Sequence, residues 1–543
     1  MMKLFFLFLY IASAFPQQSE ISLGTLKRIY PSAVTQTEVL ITRSPIETGT
    51  LFASANAIKF TPFFVSEGIY VTTNSGADWY GSDTCKGGPF LTFHGGDPGI
   101  AIDKDGTFIL IRRGNTPLTG LYAHYSTNKG LTWSNQIAIT TEDLERGVLA
   151  SDGNPASPYY GRTYAAWVKY APPFPISFCY STNGGANWSA TRVVNNPVNR
   201  NSGGDIVIGV NGEVFLTWAA VTGTSPFTEI AAGFASSTDG GANWSVNESA
   251  ITLNGISGVL SAKQNIRVNS IPRIDVDKTN GPHRGHIYLV TTQKNLPPAG
   301  SDPDIVLYKS TDNGATWSGG IRVNGDAINN GKTQYFPAVS VDDYGGVNVI
   351  YYDDRNTTND SASVFLSRST DGGASWTDYQ LTLSNFKPAP IGGLGQGYQG
   401  DNIGITSSGG KIFPVWMDNS SGIYQIWTRE VNVSLVGVDE QYSEKEFRFF
   451  NYPNPFRDYT NIEVEGGVVS GEWLVANGEL GGKRSGVTVY NVMGEVVAEL
   501  ELKPVGAGKV GVAFNAGSLP SGVYFAILTN GGERKFLRMA LVK

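Results

Sequence analysis

The chain has 543 residues, a net charge of −7, 12% aromatic and 16% charged residues, 66 glycines and five methionines. Its length exceeds what one hydrophobic core fills, so at least two folding units are expected, and the composition suits short strands joined by tight turns. No basic run interleaves with aromatics, which argues against a phosphate-backbone partner, so no nucleic-acid ligand is expected.

The chain opens MMKLFFLFLYIASAFPQQ: Lys3, an apolar run from Leu4 to Ala12, and an A-S-A tripeptide ending at Ala14. This is the pattern of a secretory signal peptide over residues 1–14, with the mature chain starting near Phe15. The run is shorter than the roughly 20 apolar residues a bilayer requires, and no later segment reaches that length, so no membrane span is expected. Two cysteines, Cys85 and Cys179, permit at most one internal disulfide. Two buried thiols are the simpler expectation, because the repeat assignment below puts them in non-neighbouring units.

An eight-residue phrase then recurs six times: TTNSGADW (72–79), STNKGLTW (126–133), STNGGANW (181–188), STDGGANW (237–244), STDNGATW (310–317) and STDGGASW (369–376). Its fixed form is Ser/Thr-x-Asp/Asn-x-Gly-x-x-Trp. The Asx side chains of Asn74, Asn128, Asn183, Asp239, Asp312 and Asp371 suit turns by bonding backbone groups, and the glycine allows positive φ. Trp79, Trp133, Trp188, Trp244, Trp317 and Trp376 cover the turn. Fully buried, one such ring removes about 150–250 Å² from water, about 4–6 kcal/mol before entropy.

Between these phrases lie seven hairpins of two short apolar strands: EVLI…TLFASAN, DPGIAIDKDGTFILIRR, NPASPYYGRTYAAWVKY, GDIVIGVNGEVFLTWAAV, PRIDVDKTNGPHRGHIYLV, FPAVSVDDYGGVNVIYYDD and DNIGITSSGGKIFPVWMD. Successive phrases start 54, 55, 56, 73 and 59 residues apart, and residues 20–433 hold about seven such periods. The expectation is an all-β, seven-bladed propeller over residues 15–433, with six blades as the alternative. The last unit lacks a fourth strand, which ISLGTLKRI (21–29) can supply, closing the ring by pairing the chain ends. The longest spacing predicts an insertion near 248–270 that forms a rim loop.

After a polar linker over 434–450, alternating stretches such as TNIEVE, GVTVYNVMGEVVAELEL, GKVGVAFNA and SGVYFAILTNG predict a small β-sandwich over 451–543.

The six phrases resemble the Asp-box of sialidases and related β-propellers, a likeness that covers residues 20–433 in architecture. The resemblance implies that the boxes join third and fourth strands on the face opposite the ligand site, as supports rather than chemistry. The phrases NYPNPF, VYNVMGE, LPSGVYF and KFLRMALVK resemble the sorting domain of the type IX secretion system, which implies export across the outer membrane and release or attachment at the cell surface. The segment 466–485 is longer than that family usually carries. The alternative for this region is an immunoglobulin-like carbohydrate-binding or adhesive domain.

If boxes and inner turns share one face, the innermost strands begin at the other. Their first side chains then read Glu38, Asp97, Asn154, Asp205, Arg273, Phe336 and Asp401. Glu38, Asp97, Asp205 and Asp401 would converge, where like charges raise one another's pKa or recruit a cation such as calcium; a general acid or nucleophile belongs there. The alternative for each is a carboxylate that only bonds neighbouring backbone N–H groups. Arg112, Arg113, Lys169, Tyr170, Asp353, Asp354, Arg355 and Asp418, in loops on the same face, suit hydroxyl-rich or anionic sugars. The sialidase set of three arginines, a Tyr/Glu nucleophile pair and an Asp acid cannot be placed: Arg43 of ITRSP falls at the wrong strand end, and Arg273 of IPRID supplies one arginine. No HExxH, zinc knuckle, P-loop or dinucleotide fingerprint is present, so no cofactor is expected beyond that calcium ion. The expected function is binding of extracellular glycan or another surface polymer, with glycoside hydrolysis or a protein scaffold as rivals.

Overall fold

The computed structural model describes residues 19–61, 63–84, 94–115, 117–435, 448–465, 475–476, 479–480, 486–506, 509–530 and 533–543. The chain divides into two units, one ending at Leu435 and one starting at Val436.

Among its described residues the first unit consists of seven four-stranded antiparallel sheets and one two-stranded hairpin. In six sheets, chain order is also sheet order; the first runs Thr35–Arg43, Leu51–Phe60, Phe63–Thr72, Tyr80–Ser82. The inner strands of the next five are His94–Ile102, Leu144–Ser151, Arg200–Ile208, Arg273–Val276 and Gln334–Val341. The seventh sheet joins Gly404–Ser408, Lys411–Asp418 and Gln425–Leu435 to the N-terminal strand Ser19–Arg28, with Ile21 opposite Val433 and Arg28 opposite Trp427. Each inner strand touches that of the next sheet, and Gly404–Ser408 touches Thr35–Arg43, so the succession returns to its start.

These strands read as apolar runs because sheets cover them on both faces. Between the third and fourth sheets, Tyr164, Ala166 and Phe178 pack with Ile206, Leu216 and Trp218. All six repeats of the eight-residue phrase connect a third strand to a fourth. In the fifth sheet, Asp312 Oδ1 accepts the Thr316 amide at 2.9 Å and the Ser310 hydroxyl at 2.7 Å. Asn313 and Gly314 both take positive φ, 58° and 84°. A Cβ at Gly314 would lie 1.9 Å from the Phe234 ring of the preceding sheet, so close approach as well as φ requires glycine there. Trp317 stacks edge-on against Phe234 at 5.2 Å, as Trp244 does against Phe178 at 5.0 Å. The phrase therefore fastens each sheet to its predecessor.

The third sheet corrects the sequence reading. Its inner strand is Leu144–Ser151, upstream of the expected NPASPYYG, and Asn154 lies in the following turn at the far end of the strands. There Asp152 organises the turn by accepting the Asn154 amide at 3.0 Å, and Asn154 Nδ2 donates to the Val210 carbonyl at 2.8 Å. The charged pair Glu145-Arg146 hides the strand character of LERGVLAS, while the proline-bounded run mimics a strand start.

The insertion folds as a hairpin, Gly258–Leu260 with Ile266–Val268. Lys263 anchors it: its ammonium reaches Asp354 at 2.5 Å and the carbonyls of Asn359 and Ser361 at 2.7 and 3.1 Å. At its base, Glu229 accepts the Ser270 amide and the Ser257 hydroxyl, both at 2.8 Å.

Taken by itself, the second unit has, among its described residues, two four-stranded antiparallel sheets that share one core and a two-stranded pair, Val475–Ala476 with Glu479–Leu480. Ile462, Val464, Val510 and Phe514 of one sheet face Val487, Tyr524, Ala526, Leu528 and Met539 of the other.

Candidate functional site

The inner strands carry a recurrent irregularity near their first residues. Register skips between Thr37 and Leu40, Gly96 and Gly99, Leu144 and Gly147, Ser202 and Asp205, and Tyr335 and Ala338. Such bulges re-aim side chains. At their apices Glu38 and Asp97 each take φ 57° and Phe336 takes 53°, values uncommon outside glycine. The seven sequences align as EVLI (38–41), DPGI (97–100), ERGV (145–148), GGDI (203–206), IPRI (271–274), FPAV (336–339) and GDNI (400–403).

The bulges of the first two sheets bring Glu38 and Asp97 into a direct carboxyl–carboxyl hydrogen bond. Glu38 is 4% exposed. Burial, followed by the negative charges of Asp401 and Asp97, holds its pKa well above the ordinary range, and burial also raises Asp97. The Tyr398 hydroxyl lies beside Glu38, 3.1 Å from both Thr37 Oγ1 and Asn56 Nδ2, while Asn56 Oδ1 accepts the Asp97 amide at 2.8 Å.

Asn402 joins this pair to a cationic layer. Its Nδ2 donates to Glu38 at 3.1 Å and Asp401 at 3.2 Å, and its Oδ1 accepts from both Arg146 and Arg273. Burial, followed by the like charge of Arg146, pushes Arg273 down to about 10. Arg146, Asp205 and Arg273 also border a cavity of about 870 Å³ that runs along the inner strands to their far ends, at Ser44, Asp152, Lys278 and Asp343.

The insertion completes the other side. Asn269 Nδ2 and Arg267 Nη2 reach Asp401 Oδ2 at 2.9 and 3.5 Å, and the Arg267 guanidinium lies 5.4 Å from the centre of the Tyr398 ring. Arg267 and Asp401 are 36% and 19% exposed at their side chains, so the cluster reaches the surface at these two residues. Among the described residues, no group of three or more His, Cys, Asp or Glu side chains is arranged to hold a metal ion.

Residues 451–542 match the family model described as a secretion system C-terminal sorting domain. The chain carries a secretion sorting domain. The sorting domain indicates a secreted protein, at the cell surface or beyond it. No helix among the described residues is long and apolar enough to cross a membrane. No curated protein matches the sequence. Solved structures similar to the chain include a PL25 ulvan lyase, 11% identical, covering 76% of this chain and 96% of that one with a TM-score of 0.48. The Hadza microbial sialidase Hz136 is 13% identical, covering 70% and 73%, with a TM-score of 0.39. A Penicillium chrysogenum α-L-arabinanase is 14% identical, covering 66% and 99%, with a TM-score of 0.40. No residue role is carried over from these proteins.

Ahead of the sorting domain, the structure brings together Glu38, Asp97, Asp401 and Arg273. Asp205 lies two positions further along its strand, accepting the amides of Ile206 at 3.0 Å and Ile274 at 3.2 Å. Phe336 is buried among Tyr335 and Tyr352. Arg113 pairs with Asp143 at 2.9 Å and Lys169 with Glu142. Several predicted loop residues are engaged within the fold instead of facing outward. Arg112 is 1% exposed and bonds His124 and Gln136; Asp354 pairs with Lys263; Arg355 pairs with Asp353 and Asp378; and Asp418 bonds Trp416 and Ser420. Cys179 is a buried thiol, and Cys85 lies outside the described residues. Sequence reasoning missed Arg146, Tyr398, Asn402, Arg267 and Asn269; the four-residue alignment of inner strands was the available signal for Arg146 and Asn402.

Proposed function

We propose that the first unit is a seven-bladed β-propeller, exported by the type IX route, that binds an extracellular glycan where its inner strands begin. One observation carries this reading: the paired and partly exposed Asp401 and Arg267 join a buried cluster of Glu38, Asp97, Asn402, Arg146 and Arg273 to the surface. Alternating carboxylate, guanidinium and amide groups match the mixed donor and acceptor pattern of sugar hydroxyls.

A second reading, glycoside hydrolysis, is favoured by a tyrosine hydroxyl, that of Tyr398, beside the buried carboxyls of Glu38 and Asp97. Against it, carboxyls that bond each other directly are too close to flank a scissile bond, which needs about 5–9.5 Å between them. Binding and hydrolysis by the mature chain from Phe15 should be measured on neutral and sialylated glycans. Binding that falls at least tenfold in Asp401→Asn and Arg267→Ala supports the proposal. Turnover lost in Tyr398→Phe with binding retained supports hydrolysis instead, and no binding to any glycan refutes the glycan reading.

A further inference from the structure

The same face carries a second cluster over the third and fourth sheets. Arg200 opens the fourth inner strand, and its guanidinium lies 5.0 Å from the ring centre of Tyr170, 4.6 Å from Phe174 and 4.4 Å from Phe227. Its Nη2 also donates to the Tyr170 hydroxyl at 2.8 Å. Phe174 and Phe227 occupy corresponding loops, between the second and third strands of successive sheets, and both take φ 61°. For a bulky side chain that conformation is costly, and it persists only where the surroundings impose it. Each is held by its amide, which donates to Ala171 at 2.7 Å or Thr224 at 2.8 Å. Two loops of different sequence, PPFP and SPFT, thus accept the same strain to bring a ring to one arginine.

A purely structural clip would satisfy its own polar atoms. Here Arg200 Nε and Glu145 Oε2 are buried without a hydrogen-bond partner among the described residues, although Ser202 donates to the other Glu145 oxygen at 3.0 Å. Buried polar atoms ordinarily find partners, so these await water or a ligand. Beside them Tyr170 is 45% exposed, an aromatic surface of the kind on which the apolar face of a sugar ring stacks. Glu145 directly precedes Arg146, whose guanidinium bonds Asn402, so the cluster adjoins the mouth.

We propose that Tyr170, Phe227, Arg200 and Glu145 form a second sugar subsite, so that the ligand is a chain of at least two pyranose rings. One ring sits over Asp401 and Arg267; the next stacks on Tyr170 and gives hydroxyl hydrogen bonds to Glu145 and accepts from Arg200. This inference rests on the glycan-binding reading above.

The test is calorimetric titration of the mature full chain with cello-, xylo-, manno-, chito- and galacturono-oligosaccharides of one to six rings. In a series that binds, affinity should rise from one ring to two or three. Tyr170→Ala and Glu145→Gln should each weaken the longer chains about tenfold while leaving the monosaccharide unchanged, with unaltered melting temperatures showing that the fold is intact. The subsite is overturned if monosaccharide and longer chains bind equally, or if both variants weaken them equally. Monosaccharide binding that depends on Asp401 without any effect of chain length removes the subsite alone; no binding in any series removes the glycan reading with it.

Discussion

Replacing Lys263 by methionine tests whether the insertion is latched to the face it serves. Lys263 and Asp354 are each 1% exposed at their side chains, and the ammonium makes three bonds, to Asp354, Asn359 and Ser361. Methionine keeps most of the volume but leaves the Asp354 carboxylate buried with only the Thr333 amide, which it accepts at 2.7 Å. Removing one partner of a buried pair costs about 3–5 kcal/mol, because the remaining charge is uncompensated. Since the hairpin is a local element, part of that cost should emerge as local opening. Urea denaturation should show the loss, and amide exchange over 258–268 should accelerate. Adding Asp354→Leu should recover most of the stability, since an apolar pair needs no desolvation of charge. A destabilisation below about 1 kcal/mol with unchanged exchange would refute the reasoning.

Glu38 should make the folded state less stable as pH rises. Its folded pKa lies above the ordinary 4.5, so between those values the folded chain binds more protons than the unfolded one. Stability should therefore decline from about pH 4.5 upward, and Glu38→Gln should flatten that slope in a urea midpoint series; a slope of opposite sign contradicts the buried-pair assignment. Asp239 behaves in reverse. Bonds from the Asn243 amide and side chain hold it at about 2, so its small, solvent-screened contribution is present above its ordinary 3.8 and is lost as pH falls through about 2, which carboxyl NMR titration would follow. Trp317→Ala should cost about 3 kcal/mol by removing the contact with Phe234, measured by thermal melting, while ligand affinity stays unchanged because the turn lies at the far strand ends.

Repetition made the first unit legible. Tryptophan and glycine at fixed spacing in six phrases located six third-to-fourth connections, and the apolar run 21–29 located the strand that completes the seventh sheet. The site was less legible for two reasons. Bulges shift register by one or two residues, so Glu38, Asp401 and Asp205 sit at three different levels although each opens an apolar run. Arg267 and Asn269 come from the insertion, whose presence the repeat spacing discloses but whose fold it does not, and Tyr398 from a connecting segment outside the repeats; their place depends on contacts far apart in sequence, such as the Arg267 amide with the Gly397 carbonyl at 2.7 Å. Charged residues such as Asp354 and Arg355 looked available for ligands because sequence does not reveal which charges pair internally.

The glycan-binding proposal puts ligand where the inner strands begin, not in the cavity of about 870 Å³ that runs to their far ends. A crystal structure of the chain from Phe15 onward, soaked with its tightest-binding oligosaccharide, decides between the two places. A sugar ring within hydrogen-bond distance of Asp401 and Arg267 is the expected result. Sugar density confined to the far end, against Lys278 and Asp152, would contradict it.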